Sequence, residues 1–478
     1  MKQATQFYIN GEWVDPIESR QIDVVNPATE QPVARISLAG RADVDKAVAA
    51  ARAAFGSYSR TSRDERITLL AKLAEIYQTR YMDLAEAITL EMGAPQSLSQ
   101  KAQAAAGLAH INTALEILKH YKFSRSQGTT QILKEPIGVC GLITPWNWPM
   151  NQIMCKVAPA LATGCTMILK PSQVAPLDAY ILAEIIDAAG YPPGVFNLVN
   201  GAGPEVGQWL STHPDVDMIS LTGSSRAGSQ VSANAADSVK RVSLELGGKS
   251  AFIVLDDADL EKAVKCCVRS CFRNTGQTCN APTRMLVPEE KHDRIVDIVR
   301  AVAAKMVVGP PGDPATTIGP QANKKQWLAV QSLIQQAIDD GSRLVLGGTG
   351  RPEGLTTGYY SKPTVFANLK NSDIIARKEV FGPVLSIIPY RDEEDAIAIA
   401  NDTEFGLSSY VYSGDLERAR RVASRMRAGM VHLNGAETDI NAPFGGYKQS
   451  GNGREWGIYG FDEYLEIKAV MGFNATVD

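Results

Sequence analysis

From Gly138 onward, short apolar runs alternate with segments long enough to form helices, and this rhythm constrains the fold more than any other feature. Strands separated by helix-length spacers pair in parallel through crossover helices. The rhythm therefore predicts a doubly wound α/β sheet, which binds ligands at the carboxyl ends of its strands. The runs are VCGLI (139–143), TMILK (166–170), VFNLV (195–199), DMISL (217–221) and VSLEL (242–246).

A second rhythm of the same kind follows Leu246 and continues to about residue 447. Because 478 residues are too many for one compact core, a second domain is expected. We predict an α/β fold class with two doubly wound parallel sheets. The second set of runs is AFIVLD (251–256), TRMLVP (283–288), RLVLGG (343–348), VLSIIPY (384–390) and SSYVYS (408–413).

Residues 41–122 have helical periodicity instead. Ser62 followed by Glu65 is a capping box that begins a helix with Ile67, Leu70 and Ala74 on its inner face. Residues 123–137 and 462–472 alternate polar and apolar residues, which predicts a β-ribbon. The first predicted helix has an apolar face made of Val44, Ala47, Val48, Ala51 and Phe55.

Composition excludes several classes of protein. The formal net charge of -4 gives no reason to expect nucleic acid or an anionic membrane as a partner. The N-terminus lacks a secretory pattern, and no apolar run approaches the ~20 residues of a membrane-spanning helix, so we expect a cytoplasmic location. Seven cysteines without a CxxC pair indicate reduced thiols, and no metal site is expected.

Three polar residues lie where chemistry is plausible. Cys279 in NTGQTCNAP (274–282) follows a helical segment, and a thiolate there would attack a carbonyl readily. Glu245 ends an apolar run before two glycines, a suitable place for a general base. Asn147 in LITPWNWPMN (142–151) is positioned to donate to an oxyanion. Taken singly, a packed thiol and a turn-forming asparagine are equally good interpretations of Cys279 and Asn147, and a solvated loop carboxylate is the favoured interpretation of Glu245.

Two further segments suit phosphate or ribose groups. Lys170 in LKPSQ (169–173) ends the second run, where it would meet a ribose hydroxyl or a phosphate. TGSSRAG (222–228) joins a strand to a helix, whose N-terminal N–H groups favour pyrophosphate. Its glycine spacing is GxxxxG and not the common GxGxxG, so this signal by itself is weak.

The order of these motifs carries more information than any one of them. PWN, KPS, TGS, ELGG and GQTC are followed by EVFGPV (379–384) and PFGGYKQSG (443–451). From FYINGEWV (7–14) to the C-terminal ribbon, the chain resembles the aldehyde dehydrogenase superfamily. The resemblance implies NAD(P)-dependent oxidation of an aldehyde to a carboxylic acid. It implies Cys279 as nucleophile, Glu245 as general base, and Asn147 with the backbone N–H of Cys279 as oxyanion hole.

The resemblance also implies a cofactor site. At Gln173 the family often has an acidic residue that pairs with the ribose 2′-hydroxyl and repels a 2′-phosphate. An amide binds the hydroxyl without that repulsion, so we expect NAD as cofactor with NADP tolerated. The implied cofactor residues are Ile143, Trp146, Lys170, Ser172, Gln173, Gly203, Gly223, Ser224, Leu246, Glu379 and Phe381.

The substrate is harder to predict. Arg273, Asn280, Asn151 and Gln152 are polar positions near the nucleophile and the PWN segment. One interpretation is a semialdehyde whose far carboxylate meets Arg273, and the sequence around GQTC also resembles a subgroup associated with ω-oxo acids. The alternative is that Arg273 is an arginine on a helix surface.

Three rival functions are consistent with part of this pattern. A CoA-acylating semialdehyde dehydrogenase usually lacks the ELGG glutamate, and a catalytically silent structural or binding member would be free to lose Cys279, Glu245 or Asn147. A cysteine hydrolase would need a histidine partner, and no motif contains one.

The resemblance further implies a homodimer or homotetramer. We expect residues 1–122 and 138–246 to form the cofactor-binding domain and 247–447 the catalytic domain. Residues 123–137 and 456–474 are expected to form an oligomerisation ribbon, because a bare strand edge otherwise invites uncontrolled pairing.

Overall fold

A computed structural model describes residues 1–474. Its strands, in chain order, are β1 Lys2–Ala4, β2 Phe7–Ile9, β3 Glu12–Val14, β4 Gln21–Asn26, β5 Gln31–Ser37, β6 Ser124–Gln127, β7 Thr130–Pro136, β8 Val139–Ile143, β9 Thr166–Lys170, β10 Phe196–Leu198, β11 Met218–Thr222, β12 Arg241–Glu245, β13 Ala251–Val254, β14 Arg284–Pro288, β15 Arg343–Leu346, β16 Thr364–Ala367, β17 Val384–Tyr390, β18 Ser408–Tyr412, β19 Met430–Leu433, β20 Gly451–Asn452 and β21 Leu465–Val470.

The helices are α1 Arg41–Tyr58, α2 Arg63–Thr79, α3 Tyr81–Met92, α4 Gln96–Leu98, α5 Ala104–His120, α6 Pro149–Thr163, α7 Leu177–Ala188, α8 Gln208–Thr212, α9 Ser225–Ala235, α10 Leu260–Phe272, α11 His292–Ala303, α12 Lys324–Asp339, α13 Ile374–Arg377, α14 Glu393–Asn401, α15 Leu416–Ser424 and α16 Gly457–Asp462. None of the helices in residues 1–474 is long and apolar enough to cross a membrane.

The first large sheet has the strand order β20-β12-β11-β8-β9-β10-β2-β3. The five central strands, β12 to β10, pair in parallel, as the first set of apolar runs predicts. The chain order reverses between β8 and β11, and this switch point opens a crevice beyond their carboxyl ends. The antiparallel strands β2, β3 and β20 extend the sheet at its two edges and were not predicted.

The second large sheet has the order β15-β16-β17-β14-β13-β18-β19, and only β15 is antiparallel. The predicted runs correspond to β13, β14, β15, β17 and β18, whereas β16 and β19 were missed. The two parallel-rich sheets confirm the predicted α/β fold class.

Of the helices before β6, α1 packs against the first sheet, whereas α2, α3 and α5 pack mainly against α6 and α7. Val44, Ala47, Val48 and Ala51 on α1 are fully buried, whereas Phe55 is half-buried. The capping box of α2 is present: the Ser62 hydroxyl accepts from the Glu65 N–H (3.2 Å) and the Glu65 carboxylate accepts from the Ser62 N–H (2.6 Å). The buried face of α2 is made of Arg66, Leu70, Leu73 and Tyr77, so the predicted Ile67 and Ala74 lie at its margin.

A separate antiparallel sheet, β21-β7-β6, joins the two predicted ribbon segments. β21 pairs with β7 over six residues, from Leu465 opposite Pro136 to Val470 opposite Gln131. The two segments thus pair with each other within one chain. Before β21, α16 packs against α5 and α6, so the chain returns to the helical layer before it enters the ribbon.

Candidate active site

Cys279 lies in a tightly bonded loop between α10 and β14. Asn274 and Thr275 adopt the left-handed backbone conformation (φ 54° and 59°), which residues with a side chain keep only where their surroundings hold them. The Asn274 side-chain amide donates to the carbonyls of Asn147 (2.8 Å) and Gln277 (3.2 Å). The first bond fixes the loop to the segment after β8, the second lies within the loop, and the half-buried Cys279 follows at that junction.

Asn147 is buried beside the same loop. Its Nδ2 donates to the carbonyl of Gln277 (3.1 Å), which leaves the second amide hydrogen for another acceptor. The neighbouring Trp148 indole donates to the Thr278 hydroxyl (3.0 Å). The PWN and GQTC motifs, 130 residues apart in the chain, are therefore joined by two hydrogen bonds immediately before Cys279.

Glu245 ends β12, and the two glycines after it are packed between site residues. A Cβ on Gly247 would collide with the Glu379 carboxylate, and a Cβ on Gly248 would lie 2.6 Å from the backbone oxygen of Cys279. The Gly248 N–H donates to Oε1 of Glu379 (3.0 Å). Because only glycine has no Cβ to fill this space, Gly247 and Gly248 allow the ELGG, EVFG and GQTC motifs to pack against one another.

The titratable groups of the site change one another's pKa values. Burial raises the pKa of the Cys279 thiol, and the charges of Glu379 and Glu245 raise it further. Burial, assisted by Glu455, raises the pKa of Glu245 well above its usual range, and Lys156 opposes this. Neither carboxylate oxygen of Glu245 has a hydrogen-bond partner within residues 1–474. A thiol and a carboxyl of raised pKa within electrostatic reach suit proton exchange between them.

A buried ion pair, which the sequence did not reveal, lies beside Glu245. The Lys156 ammonium donates to Oε1 of Glu455 and to the Thr222 hydroxyl (2.7 Å). The Cys155 thiol donates to the other Glu455 oxygen (3.2 Å). Burial alone would lower the pKa of Lys156, but the charges around it raise the pKa. Lys156 and Glu455 are 299 residues apart, so no local pattern identifies the pair.

The residues expected to bind a cofactor cluster at one edge of the first sheet. β8 ends at Ile143, β9 at Lys170, β11 at Thr222 and β12 at Glu245. Because the carboxyl ends of parallel strands meet at one edge, the segments that follow these strands are neighbours. This shared edge carries Ile143, Trp146, Lys170, Ser172, Gln173, Gly203, Gly223, Ser224 and Leu246.

The residues along this edge differ in whether their polar groups already have hydrogen-bond partners and in how much space lies beside them. The Lys170 ammonium is buried and donates to the carbonyls of Pro171 (2.8 Å) and Gly201 (3.1 Å), and burial lowers its pKa to about 8. Oε1 of Gln173 is buried and has no hydrogen-bond partner within the described chain. A Cβ on Gly203 would meet nothing within 4 Å, so the space beside that backbone is open.

Three residues complete the wall of this crevice. The Ser224 hydroxyl caps α9 by accepting from the Ala227 N–H (3.3 Å), while Leu246 packs against Gly228 on the same helix. Phe381 adopts a left-handed backbone conformation (φ 54°) and its ring meets Trp146 edge-on, with ring centres 5.5 Å apart. Burial raises the pKa of the nearby Glu379 to about 7.

The predicted substrate residues have different environments. Arg273 is exposed as a whole residue, and its guanidinium lies 5.3 Å from the ring centre of Trp148. Asn151 is half-buried on α6 and contacts Nε2 of His110 (2.9 Å), whereas the adjacent Gln152 is buried. Asn280 is half-buried, and its carbonyl accepts from the Tyr410 hydroxyl (2.8 Å).

Comparison with known proteins agrees with this geometry. The sequence model of the aldehyde dehydrogenase family matches residues 13–470. The chain belongs to this family. A 3-succinoylsemialdehyde-pyridine dehydrogenase from Pseudomonas sp is 57% identical over 477 residues, which span 100% of both chains.

Solved structures of other aldehyde dehydrogenases share the fold of this family member. Aldehyde dehydrogenase C from Pseudomonas syringae, a cysteine-to-alanine mutant complexed with NAD+ and octanal, is 51% identical at a TM-score of 0.98, covering 99% of this chain and 98% of that one. A Mycobacterium tuberculosis aldehyde dehydrogenase complexed with NAD+ is 40% identical at a TM-score of 0.96, covering 98% of each chain. Family membership from the motif order is thereby confirmed.

Proposed function

We propose that this family member oxidises an aldehyde to a carboxylic acid with NAD, using Cys279 as nucleophile, Asn147 in the oxyanion hole and Glu245 as general base. One observation supports this assignment above the others. The loop that presents the thiol is bonded to the segment after β8, and its backbone is packed against the glycines that follow Glu245. A nucleophile, an amide donor and a buried carboxylate therefore meet where the first sheet ends.

In the first step the Cys279 sulfur attacks the aldehyde carbon and forms a tetrahedral thiohemiacetal. Its oxyanion receives hydrogen bonds from the second amide hydrogen of Asn147 and from the backbone N–H of Cys279, and one such donor is typically worth about 2.7–4 kcal/mol. Glu245 takes the thiol proton, because both groups have raised pKa values and neither is held ionised by a salt bridge. NAD supplies the acceptor for the hydride that leaves the same carbon, so that a thioester remains on Cys279.

In the second step water cleaves the thioester. After it has released the thiol proton to solvent, Glu245 removes a proton from the water, which adds to the acyl carbon, and the Cys279 thiolate leaves and can take this proton back. General-base assistance of this kind contributes roughly 10²–10⁴-fold. Because its carboxylate oxygens are buried and unpartnered within residues 1–474, Glu245 is free to bind a water.

The residues at the carboxyl edge of the first sheet fit NAD. Lys170 and Gln173 would hold the adenosine ribose, and the unpartnered Oε1 of Gln173 would accept from a ribose hydroxyl. The open space beside Gly203 and the N-terminus of α9 after Ser224 suit a diphosphate. Glu379 would receive the second ribose, with Phe381, Trp146, Ile143 and Leu246 as apolar walls. Because the Gln173 amide carries no charge that would repel a 2′-phosphate, the site should also tolerate NADP.

For the substrate we propose an aldehyde whose far end is polar or aromatic. The name of the 57% identical relative, a 3-succinoylsemialdehyde-pyridine dehydrogenase, describes such an aldehyde. The His110 ring is tilted against Trp456 with ring centres 5.6 Å apart, and Phe444 packs on Trp456 with ring centres 4.5 Å apart. Asn151, bonded to His110, would present its amide beside these rings, and Arg273 would meet a carboxylate on a shorter semialdehyde. A kinetic panel of aliphatic, aryl and carboxylated aldehydes with NAD and NADP tests this.

The assembly is proposed to be a homodimer or homotetramer joined through the ribbon β21-β7-β6. Strand β6 is exposed along its whole length, and three large apolar side chains on or beyond β21, Ile467, Met471 and Phe473, are at least 63% exposed. A free strand edge beside such side chains suits pairing with a second subunit. Replacing Ile467 with Lys should yield monomers by sedimentation, whereas Leu328→Lys on the exposed face of α12 should not.

The division of the chain follows from the same reasoning. We propose residues 1–122 with 138–246 as the cofactor-binding domain, 247–447 as the catalytic domain and 123–137 with 456–474 as the oligomerisation element. We also propose a cytoplasmic location, since a nucleophilic cysteine needs a reducing environment.

The general-base assignment is tested by Glu245→Gln. This variant should release at most one equivalent of NADH per site, in a burst slower than that of the parent because Glu245 no longer accepts the thiol proton, and should then turn over at least about 10²-fold more slowly than the parent. The exposed Glu290→Gln serves as control and should retain full turnover. An unchanged steady-state rate in Glu245→Gln would refute the role of Glu245, and rescue of turnover by coenzyme A would favour the CoA-acylating alternative.

A further inference from the structure

A row of three aromatic rings crosses the second sheet, and its middle ring contacts the loop that carries Cys279. The rings belong to Phe252 on β13, Tyr410 on β18 and His432 on β19, which are neighbouring strands. Phe252 is the register partner of Tyr410, and Tyr410 is the register partner of His432. Register partners point to the same side of a sheet, so the three side chains lie next to one another on one face.

Stacking fixes the orientation of the middle ring. The ring centres of Phe252 and Tyr410 are 5.8 Å apart with 15° between the ring planes, and those of Tyr410 and His432 are 4.6 Å apart with 12° between the planes. Phe252 is buried, and Nδ1 of His432 contacts the carbonyl oxygen of Ala436 (3.1 Å). The phenol oxygen lies on the axis of the Tyr410 ring, so a ring held on both faces holds its hydroxyl in one place.

The Tyr410 hydroxyl is bonded to the residue that follows the nucleophile. It donates to the carbonyl oxygen of Asn280 (2.8 Å), and no backbone N–H within residues 1–474 is bonded to that oxygen. Burial raises the pKa of Tyr410, and the charge of Cys279 raises it further. The hydroxyl therefore keeps its proton and remains a donor to Asn280 throughout the neutral pH range.

The chain on the other side of Cys279 is held from the first sheet. Nδ2 of Asn147 donates to the carbonyl of Gln277 (3.1 Å), two residues before the cysteine. Asn147 follows β8 of the first sheet, whereas Tyr410 belongs to β18 of the second. The short segment that carries the thiol is therefore bonded to one sheet before Cys279 and to the other sheet after it.

We propose that Tyr410 is a positioning residue for the nucleophile, and that its hydroxyl, held by the Phe252 and His432 rings, fixes the backbone at Cys279 relative to the second sheet. The inference rests on the proposed role of Cys279. Tyr410 acts through the Asn280 carbonyl: a fixed backbone directs the thiol at the aldehyde carbon and the Cys279 N–H at the oxyanion. A residue that only fills space would need the ring and not the hydroxyl.

The first test is Tyr410→Phe, which keeps the ring and removes the hydroxyl. The rate of the first turnover, followed as NADH formation in a stopped-flow instrument, should fall roughly 10-fold, since misplacement of a reacting group by 1 Å costs about 10²-fold. The KM for NAD should not change, because most of the cofactor edge belongs to the first sheet. The matched control is Tyr412→Phe: Tyr412 also stacks on Phe252 (6.3 Å), but its hydroxyl lies near Lys262 of α10. This control should keep the parental rate.

A second pair of variants tests the stack. His432→Ala removes one of the two rings that hold Tyr410 and should also slow the first turnover. His432→Phe restores a ring of similar size without the imidazole nitrogens and should recover most of the parental rate. A His432→Phe enzyme as slow as His432→Ala would show that the stack does not hold the Tyr410 ring, and would overturn that part of the proposal.

The third test does not depend on turnover. Amide hydrogen exchange in a peptide covering residues 277–283 should be faster in Tyr410→Phe than in the parent and unchanged in Tyr412→Phe. Parental exchange or a parental first-turnover rate in Tyr410→Phe would overturn the proposal, and so would a rise in the KM for NAD that matches the loss of rate. Failure of the proposed function has a different signature: the parent would form no NADH with any aldehyde, or Cys279→Ser would still form it.

Discussion

Gly248→Ala tests whether the backbone of the nucleophile loop is positioned by the glycines after Glu245. The added Cβ would lie 2.6 Å from the Cys279 carbonyl oxygen, and ordinary van der Waals contact begins at 3.4 Å. The two must therefore separate by about 0.8 Å. Leu407, whose Cβ would be 3.2 Å away on another side, limits movement of the alanine itself. The cysteine loop must absorb most of the shift.

The size of the effect follows from this displacement. A 1 Å misplacement of a reacting group can cost about 10²-fold in rate, so a shift of about 0.8 Å predicts a fall in kcat of roughly 10- to 100-fold. Overpacking at a buried contact costs about 1–3 kcal/mol of stability. The protein should therefore remain folded at 25 °C, and the loss of kcat should exceed any change in the KM for NAD.

The assay is initial-rate NADH formation with both substrates varied, together with a thermal melt. Gly247→Ala is the matched comparison: its Cβ meets the Glu379 side chain and not the cysteine loop, so it should raise the KM for NAD more than it lowers kcat. Gly56→Ala, which meets nothing within 4 Å on α1, should leave both unchanged. A Gly248→Ala enzyme with parental kcat would refute the proposed support of Cys279.

Three further predictions concern charges. Gln173→Glu should lower kcat/KM with NADP by at least about 10-fold, because a carboxylate repels a 2′-phosphate, and should change kcat/KM with NAD little. Equal effects on the two cofactors would disprove the ribose contact. Since the pKa of Cys279 is raised, its thiolate fraction should increase about tenfold per pH unit, and iodoacetamide labelling should accelerate from pH 6 to 9 without a plateau; a plateau near pH 7 would contradict this. Lys156→Met should destabilise the protein by about 3–5 kcal/mol in a denaturant titration, since it leaves the buried Glu455 charge uncompensated. Most of that loss should be recovered in the double variant with Glu455→Gln; a double variant no more stable than the single one would contradict the pairing.

The central strands of both sheets were predictable because their signal is local. VCGLI and TMILK match β8 and β9 residue for residue, since a buried parallel strand is a short continuous apolar run. β13 and β15 are equally short and were predicted, whereas β16 and β19 were missed because their apolar runs are less distinct: TVFA (364–367) follows a proline and MVHL (430–433) is interrupted by a histidine. The edge strands β2 and β3 were missed for another reason: β2 joins the first sheet by antiparallel pairing with β10, about 190 residues later, and β3 pairs with β2.

The sequence by itself determined the family, through the order of motifs whose residue types are dictated by chemistry: a cysteine to attack, a carboxylate to activate water, an amide to receive an oxyanion and glycines where no side chain fits. Only the tertiary structure decided which charges surround them. The Lys156–Glu455 pair is assembled from segments 299 residues apart. Its energy arises from burial and from the distance between the two charges, and neither quantity is encoded in any local run of residues.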